Sequence, residues 1–517
     1  MLIQDNLNRL KTNNMKNNRR NFLKLTGLAG FSLAGSGILK GFDSETNKQN
    51  RSDQGNQQKQ ALKQRTQKFN MSGYAAPKLD TVRTGHIGLG GRGPGHVTNM
   101  GLLEGVEIRA LCDLIPEKVE NTKKRIESFG FSPAVYTGNA DAWKKLCERE
   151  DIDLVYICTP WSMHTPMAVY AMEHGKHVCI EVPAAITLEE CWQLVETSEK
   201  TRKHCMMVEN CCYDFFELLT LNMARQGFFG DIVHCEGAYL HNLLGLPINN
   251  HDSLLNRTTG YWEMWRLKEN AGRRGNLYPT HGLGPICQVM GINRGDKMDY
   301  LVSVAGNDFS INKAAKKLAE TDDFYKAFVD KPYRGNMTTT SIRTNKGRTL
   351  MVQHDVSSPN TYSRIHKVSG TIGAALKYPL PGKISIGDEW VSEEEYKGIE
   401  AKYTPEIIKR IGEMAKQVGG HGGMDFLMDW RTIDCLRNGL PFDEDCYDAA
   451  LWSSIAPLSE WSVANRSYPV DVPDFTGGSW KTNKPVDLLL EKGGNTKVIR
   501  SAPRRSTQKP VKEGVQS

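Results

Sequence analysis

Ile87-Gly88-Leu89-Gly90-Gly91-Arg92-Gly93 follows an apolar run that starts near Thr81 and precedes, after Pro94, sequence compatible with a helix. Gly88, Gly90 and Gly93 fit the spacing G-x-G-x-x-G. The first glycine permits a tight turn, the second lets backbone approach a pyrophosphate, and the third lets helix and strand pack closely. A second apolar run, Val106 to Cys112, ends at Asp113, twenty residues beyond Gly93. A carboxylate there meets the ribose hydroxyls and repels a 2′-phosphate. The spacing predicts an NAD site formed by Gly88, Gly90, Gly91, Arg92, Gly93 and Asp113.

Strand-like runs recur at 152–158, 177–181 and 204–209, separated by helical patterns at 116–129, 166–174 and 187–201. Such β-α alternation predicts a parallel sheet, hence an α/β fold with an N-terminal Rossmann dinucleotide-binding domain over 81–212. Ligands bind at the carboxyl edge of such a sheet. Trp161, Ser162 and His164 lie just past one strand's carboxyl end, on a loop expected to reach the cofactor.

A chain of 517 residues exceeds one domain at ~150 residues each, and 39% hydrophobic content supports a large core. The net charge of +7 is unevenly spread. Residues 1–80 carry 14 Lys/Arg and 5 Asp/Glu, and residues 492–517 carry 7 against one, so 81–491 has a net of −8. An acidic body with basic extensions excludes a folded groove for nucleic acid. The twelve cysteines form no C-x-x-C pair, so neither a zinc knuckle nor a disulfide scaffold is expected. Those in apolar runs, Cys112, Cys158, Cys179, Cys205, Cys211 and Cys235, read as small buried hydrophobes.

Asn18-Arg19-Arg20-Asn21-Phe22-Leu23-Lys24, then the mild apolar stretch Leu25 to Leu39, resembles a twin-arginine export signal. The stretch falls short of the ~20 apolar residues of a membrane span, so no integral span is expected. Residues 1–40 are thus a signal region that engages the export machinery and sends the protein to the periplasm or beyond. Residues 41–80, rich in Gln, Asn, Lys and Ser, read as a flexible polar spacer, and 481–517 as a basic tail. Twin-arginine export carries folded proteins, which suits a tightly held nucleotide.

These features resemble the glucose-fructose oxidoreductase and inositol dehydrogenase superfamily, whose members carry Glu-Lys-Pro after the fifth strand. Here the tripeptide is Glu181-Val182-Pro183. Tyr261-Trp262-Glu263-Met264-Trp265-Arg266, the run Gly275-Asn276-Leu277-Tyr278-Pro279-Thr280-His281-Gly282-Leu283-Gly284-Pro285 and His421-Gly422-Gly423-Met424-Asp425-Phe426 point to a narrower likeness. Together with Glu181-Val182-Pro183 they resemble glycoside hydrolase family 109, which contains NAD-dependent α-N-acetylgalactosaminidases. The resemblance implies a C-terminal α+β domain with an open mixed sheet over 213–480 and a glycan substrate. An assembly of identical chains is compatible with it.

NAD-dependent glycosidases depart from the usual pair of carboxylates. Oxidation at sugar carbon 3 acidifies the proton on carbon 2, whose removal expels the glycosidic oxygen. Water then adds and the hydride returns, with no net oxidation. A histidine near pKa ~6.5 suits the carbon-3 hydroxyl proton, which singles out His281 as the base, with Tyr278 beside it. The resemblance places Tyr239, Arg266, Tyr278, Thr280 and Tyr362 against the sugar, and Glu181, Val182 and Asn210 toward the nicotinamide. Glu181 or Tyr213 is the candidate for the carbon-2 proton. His421 and Asp425, four apart, share a helical face, read as a helix start near the site rather than a metal centre. The alternatives are an NAD-dependent sugar oxidoreductase, against which Glu-Val-Pro argues, and a noncatalytic glycan-binding protein.

Overall fold

The computed structural model describes residues 63–247, 250 and 252–501; the arginine pair and the apolar run after it lie outside them. The first sheet has six strands: β1 (Val82–Ile87), β2 (Val106–Cys112), β3 (Ala134–Tyr136), β4 (Leu154–Ile157), β5 (His177–Ile180) and β6 (Cys205–Met207). Every residue of β4 and β5 is buried, as expected of parallel strands covered on both faces. The order is β3-β2-β1-β4-β5-β6 and every pairing is parallel. The winding reverses between β1 and β4, which opens a crevice at their carboxyl ends.

Helix α1 (Gly93–Gly101) follows the glycine loop. Helix α2 (Trp161–Glu173) begins five residues before the expected Pro166. That proline sits near the amino end, where its missing N–H removes one early intrahelical bond and the helix tolerates it. Helix α3 (Leu188–Thr201) starts at a capping box, with the Thr187 hydroxyl accepting from Glu190 N.

A second sheet runs from β7 (Ile232–Leu240) through β8 (Met298–Ala305), β9 (Thr338–Thr344), β10 (Thr349–Asp355), β11 (Lys367–Gly370), β12 (Gly373–Leu376), β13 (Lys383–Ile386), β14 (Glu389–Trp390) and β15 (Val470–Asp471). Its order is β14-β13-β12-β11-β7-β10-β9-β8-β15; β7 and β10 are parallel and the remaining pairs antiparallel. This is the mixed sheet the resemblance implied. Helix α4 (Thr280–Met290) lies across β7. Helices α5 (Met424–Asn438) and α6 (Cys446–Ala464) return to the first sheet, where Asn99 of α1 donates to Asp429 of α5 at 2.8 Å and Ala184 N to Ser453 of α6 at 3.1 Å.

Residues 63–80, expected to belong to the spacer, are instead seated on the body. Lys68 N donates to Glu199 (2.7 Å), Met71 N to the Tyr447 hydroxyl (3.0 Å) and Leu79 N to Leu436 O (2.9 Å). The few apolar residues there suffice: Met71 is 3% exposed. Part of the expected basic tail is likewise anchored, with Leu488 and Leu490 buried and Val498 bridged to Leu103. All twelve cysteines are free, and all but half-buried Cys158 are buried. Among the described residues no helix is long and apolar enough to cross a membrane.

The core carries charge at one point. His96 of α1 is buried with Nδ1 2.8 Å from Asp429 and Nε2 3.2 Å from Glu181, and its ring stacks on Tyr156. Burial opposes the imidazolium, but the two carboxylates outweigh it and raise the pKa to about 9. His86 and His204 are pushed the other way, to about 3, chiefly by burial. A raised folded value stabilises below the unfolded ~6.5 and is lost as pH climbs through 9; depressed values stabilise above ~6.5 and are lost on acidification. Stability should therefore peak near pH 6.5. Thermal melts should show an alkaline decline on the order of 3 kcal/mol, which His96→Gln abolishes; an unchanged decline in that variant would refute the assignment.

Candidate active site

The glycine loop divides its roles as its spacing predicts. Gly88 has φ +88°, and a Cβ there would lie 2.4 Å from Cys158 O. A Cβ on Gly93 would lie 1.9 Å from Gly88 O, so α1 starts in backbone contact with the loop. Around Gly90, by contrast, the nearest atom to such a Cβ is Lys118 Nζ at 3.7 Å. Gly90 and Gly91 face solvent, leaving room for a diphosphate at the positive end of α1. Asp113 is held at the carboxyl end of β2 by Leu89 N (2.6 Å) and Ile115 N (2.9 Å) and remains half-buried. The open cradle and the fixed carboxylate fit a dinucleotide whose ribose keeps both hydroxyls.

Arg92, the loop's one side-chain cation, binds inward. Its Nε donates to Glu181 (3.0 Å) and its fork to both oxygens of Asp425 (3.0 and 3.1 Å). Asn210, at the end of β6, donates to the same Asp425 at 2.6 Å. Glu181 is doubly committed, since Oε1 takes His96 and Arg92 and Oε2 takes Val182 N at 3.1 Å. Burial works against its charge, yet Arg92 and His96 hold its carboxyl far below the ordinary range. It is a fixed anion. His164 is buried and spans two carbonyls, Pro183 O at 2.8 Å and Thr159 O at 2.7 Å, so it ties the Trp161 loop to the Glu-Val-Pro loop. Ser162 is exposed on the first turn of α2, and Val182 is buried.

Facing this crevice, the carboxyl end of β7 and the start of α4 assemble an aromatic pocket. Trp161 stacks on Tyr278 (5.7 Å, 21°) and meets Trp265 edge-on. Tyr239 contacts Tyr278, His281 and Tyr362 at 4.9, 5.3 and 6.4 Å between ring centres. The Arg266 guanidinium sits among Trp161, Tyr239, Tyr261 and Tyr278, at 4.8 Å from the Tyr278 ring, and donates to the Tyr261 hydroxyl at 2.6 Å. Aromatic faces and one guanidinium are the means by which proteins hold a sugar and an acetamido carbonyl. Tyr362 is the exposed rim of this pocket, its hydroxyl accepting from Arg364 at 3.1 Å.

The structure adds a residue the sequence did not single out. Glu209, fully buried past β6, lies 2.6 Å from His281 Nδ1, and also accepts from Cys211 N at 3.2 Å. Burial disfavours its charge, but His281 and neighbouring Thr280, itself buried at the start of α4, hold it ionised. A carboxylate on Nδ1 fixes the ring and leaves Nε2 as the exposed, basic nitrogen. The only sequence signal for Glu209 is its place at the carboxyl end of a parallel strand. His241 is a second omission: it meets the Tyr239 hydroxyl at 3.0 Å and is pushed down to about 4 by burial and Arg266.

Tyr213 is not brought into the pocket. Its hydroxyl donates to Asp443 at 3.3 Å, and Asp443 pairs with Arg431. Two buried trios could in principle ligate a metal, His96 with Cys158 and Glu181, and Glu209 with Cys211 and His281. In each the carboxylate is already paired with the histidine. His421 and Asp425 stand at the start of α5, 2.8 Å apart.

Residues 213–482 match the family model described as glycosyl hydrolase 109, C-terminal domain, and residues 82–209 the one described as oxidoreductase family, NAD-binding Rossmann fold. Glycosyl hydrolase family 109 protein 1 of Bacteroides thetaiotaomicron is 50% identical over 422 residues, covering 78% of this chain and 86% of its own. An alpha-N-acetylgalactosaminidase of Bacteroides fragilis is 48% identical over 413 residues, covering 79% of this chain and 95% of its own. Among solved structures, a levoglucosan dehydrogenase in complex with NADH and L-sorbose has a TM-score of 0.56 at 18% identity, covering 77% of this chain and all of that one. An aldose-aldose oxidoreductase of Caulobacter crescentus has a TM-score of 0.53 at 16% identity, covering 76% of this chain and 99% of that one. At such identity the likeness is one of fold.

Proposed function

Because the chain belongs to glycoside hydrolase family 109, we propose that it removes terminal α-linked N-acetylgalactosamine by transient oxidation, using NAD that stays bound through each turnover. One observation carries the reading: His281, oriented by Glu209, opens onto an aromatic pocket at the edge where the glycine loop prepares a dinucleotide site. The substrate choice rests on the B. fragilis relative named alpha-N-acetylgalactosaminidase.

Bound NAD supplies a reversible hydride acceptor for carbon 3 of the sugar. The protein's part is to hold the ring and move protons. Arg266 and the tyrosines orient the acetamido sugar, and Trp161 with Tyr278 excludes water from one side. His281 Nε2 takes the carbon-3 hydroxyl proton, and Glu209 stabilises the imidazolium that forms. Of the candidates for the carbon-2 proton, Glu181 is spent on Arg92 and His96, and Tyr213 faces Asp443. Tyr278 stands in the pocket, and Arg266 counters the burial that otherwise holds its proton.

The carboxylates of the site also disfavour the ordinary route. A conventional glycosidase needs an acid with a raised pKa opposite a second carboxyl. Here burial opposes the charges of Glu181, Glu209 and Asp425, but Arg92 and His96, His281, and Arg92 with His421 respectively keep each ionised. Protein purified without added NAD should release the aryl group of an aryl α-N-acetylgalactosaminide with no build-up of NADH. Lasting NADH and an oxidised sugar would identify an oxidoreductase, and no product at all a glycan-binding protein. The reading includes export in the folded state; finding the protein in the cytoplasmic fraction of its own cells would refute that part.

A further inference from the structure

Three groups expected to face the dinucleotide, Arg92, Glu181 and Asn210, are coupled through one partner from the other end of the chain. Asp425 takes the Arg92 fork and the Asn210 amide, and Arg92 carries the coupling to Glu181. Asp425 closes the segment Gly419-Gly420-His421-Gly422-Gly423-Met424-Asp425 between two helices. All four glycines of that segment have positive φ, and His421 itself adopts φ +46°. This backbone cannot continue either helix and stands as a strap across the start of α1. His421 Nδ1 lies 3.0 Å from Arg92 Nη1 and 2.8 Å from Asp425. Its side chain is 52% exposed, so Nε2 is turned away from the ion cluster, beside the open side of the loop at Gly90 and Gly91.

We propose that residues 419–425 form the outer wall of the NAD site, with His421 contacting the ribose-diphosphate part of the dinucleotide and Asp425 positioning Arg92 and Asn210, so that the strap retains the cofactor. The inference rests on the redox-neutral reading above, which gives retention its value. One nicotinamide must accept and return the same hydride, and its escape between the two steps would strand an oxidised sugar. The glycine loop supplies a cradle with one open side. The strap supplies a polar side chain on that side and anchors it by a bidentate ion pair, a contact both directional and strong.

The test uses the full-length protein loaded with NADH. Release is followed by the loss of NADH fluorescence on chase with excess NAD, and residual dinucleotide is quantified after acid release. His421→Ala removes a half-exposed ring and should fold normally, which its melting temperature checks; it should speed release about tenfold, the loss of one hydrogen bond to a charged group. Asp425→Asn, which loosens Arg92 and Asn210 together, should speed it at least as much. Release from His421→Ala at the wild-type rate overturns the proposal. A wild-type protein that holds NADH firmly yet hydrolyses no glycoside would sink the functional reading while the release rates still judge the strap.

Discussion

Replacing His281 by alanine should lower turnover of an aryl N-acetylgalactosaminide ~10²–10⁴-fold, the range of a lost general base, and leave the dinucleotide bound. The separation of effects follows from geometry: His281 opens on the sugar pocket, whereas the glycine loop and Asp113 sit on other elements. Glu209→Gln should cost a similar order in kcat, because an amide can hold the ring by its carbonyl but cannot stabilise the imidazolium. That variant should also change the pH dependence of kcat, an effect a merely structural glutamate would not produce. Turnover near wild type in His281→Ala would mean that another group takes the proton.

A single methyl group at Gly282 should be nearly as damaging. A Cβ there would lie 2.1 Å from Ala238 N, and one at Gly237 would lie 2.1 Å from Gly282 O. Helix α4 therefore rides on β7 with backbone against backbone. This contact sets His281, next to Gly282, within ring contact of Tyr239, two residues beyond Gly237. Normal carbon contacts are ~3.5–4.0 Å, so Gly282→Ala must push the helix outward by an ångström or more. Such a displacement costs on the order of 10²-fold in rate. The strain should destabilise the fold by about 1–3 kcal/mol. Steady-state kinetics with thermal melting checks both, and a variant with wild-type values in each would show that the close approach does not set the base.

The first sheet was legible because its signals are local: apolar runs, a glycine loop and a carboxylate at fixed spacing. The pocket residues were reachable through motifs that resemble a known family. What the sequence concealed are pairings across long separations. Glu209 and His281 are 72 residues apart, and Arg92 and Asp425 are 333 apart. No periodicity encodes a contact of that span. The same limit explains Glu181 and Tyr213, which stand at plausible strand ends but spend their polar atoms on His96, Arg92 and Asp443. It also explains residues 63–80, whose polar composition hides a few apolar anchors and backbone hydrogen bonds.

The lysine missing from Glu181-Val182-Pro183 has a structural counterpart. Val182 is buried, and the cations beside Glu181 are Arg92 and His96, supplied by the glycine loop and the helix after it. Charge that relatives place on the fifth strand's loop is here delivered from the cofactor's own loop. This leaves the sugar side to neutral phenols, an imidazole and Arg266, a set suited to moving protons around a substrate that is oxidised only in passing.

Hydrolysis in heavy water, with protein purified without added NAD, tests the central claim most directly. Elimination across carbons 1 and 2 followed by addition of water places one solvent deuteron on carbon 2 of the released N-acetylgalactosamine, visible by mass and proton NMR. Product carrying deuterium there, formed over many turnovers per bound dinucleotide, is the predicted result. Free sugar that keeps its original carbon-2 hydrogen would contradict it and return the protein to conventional displacement chemistry.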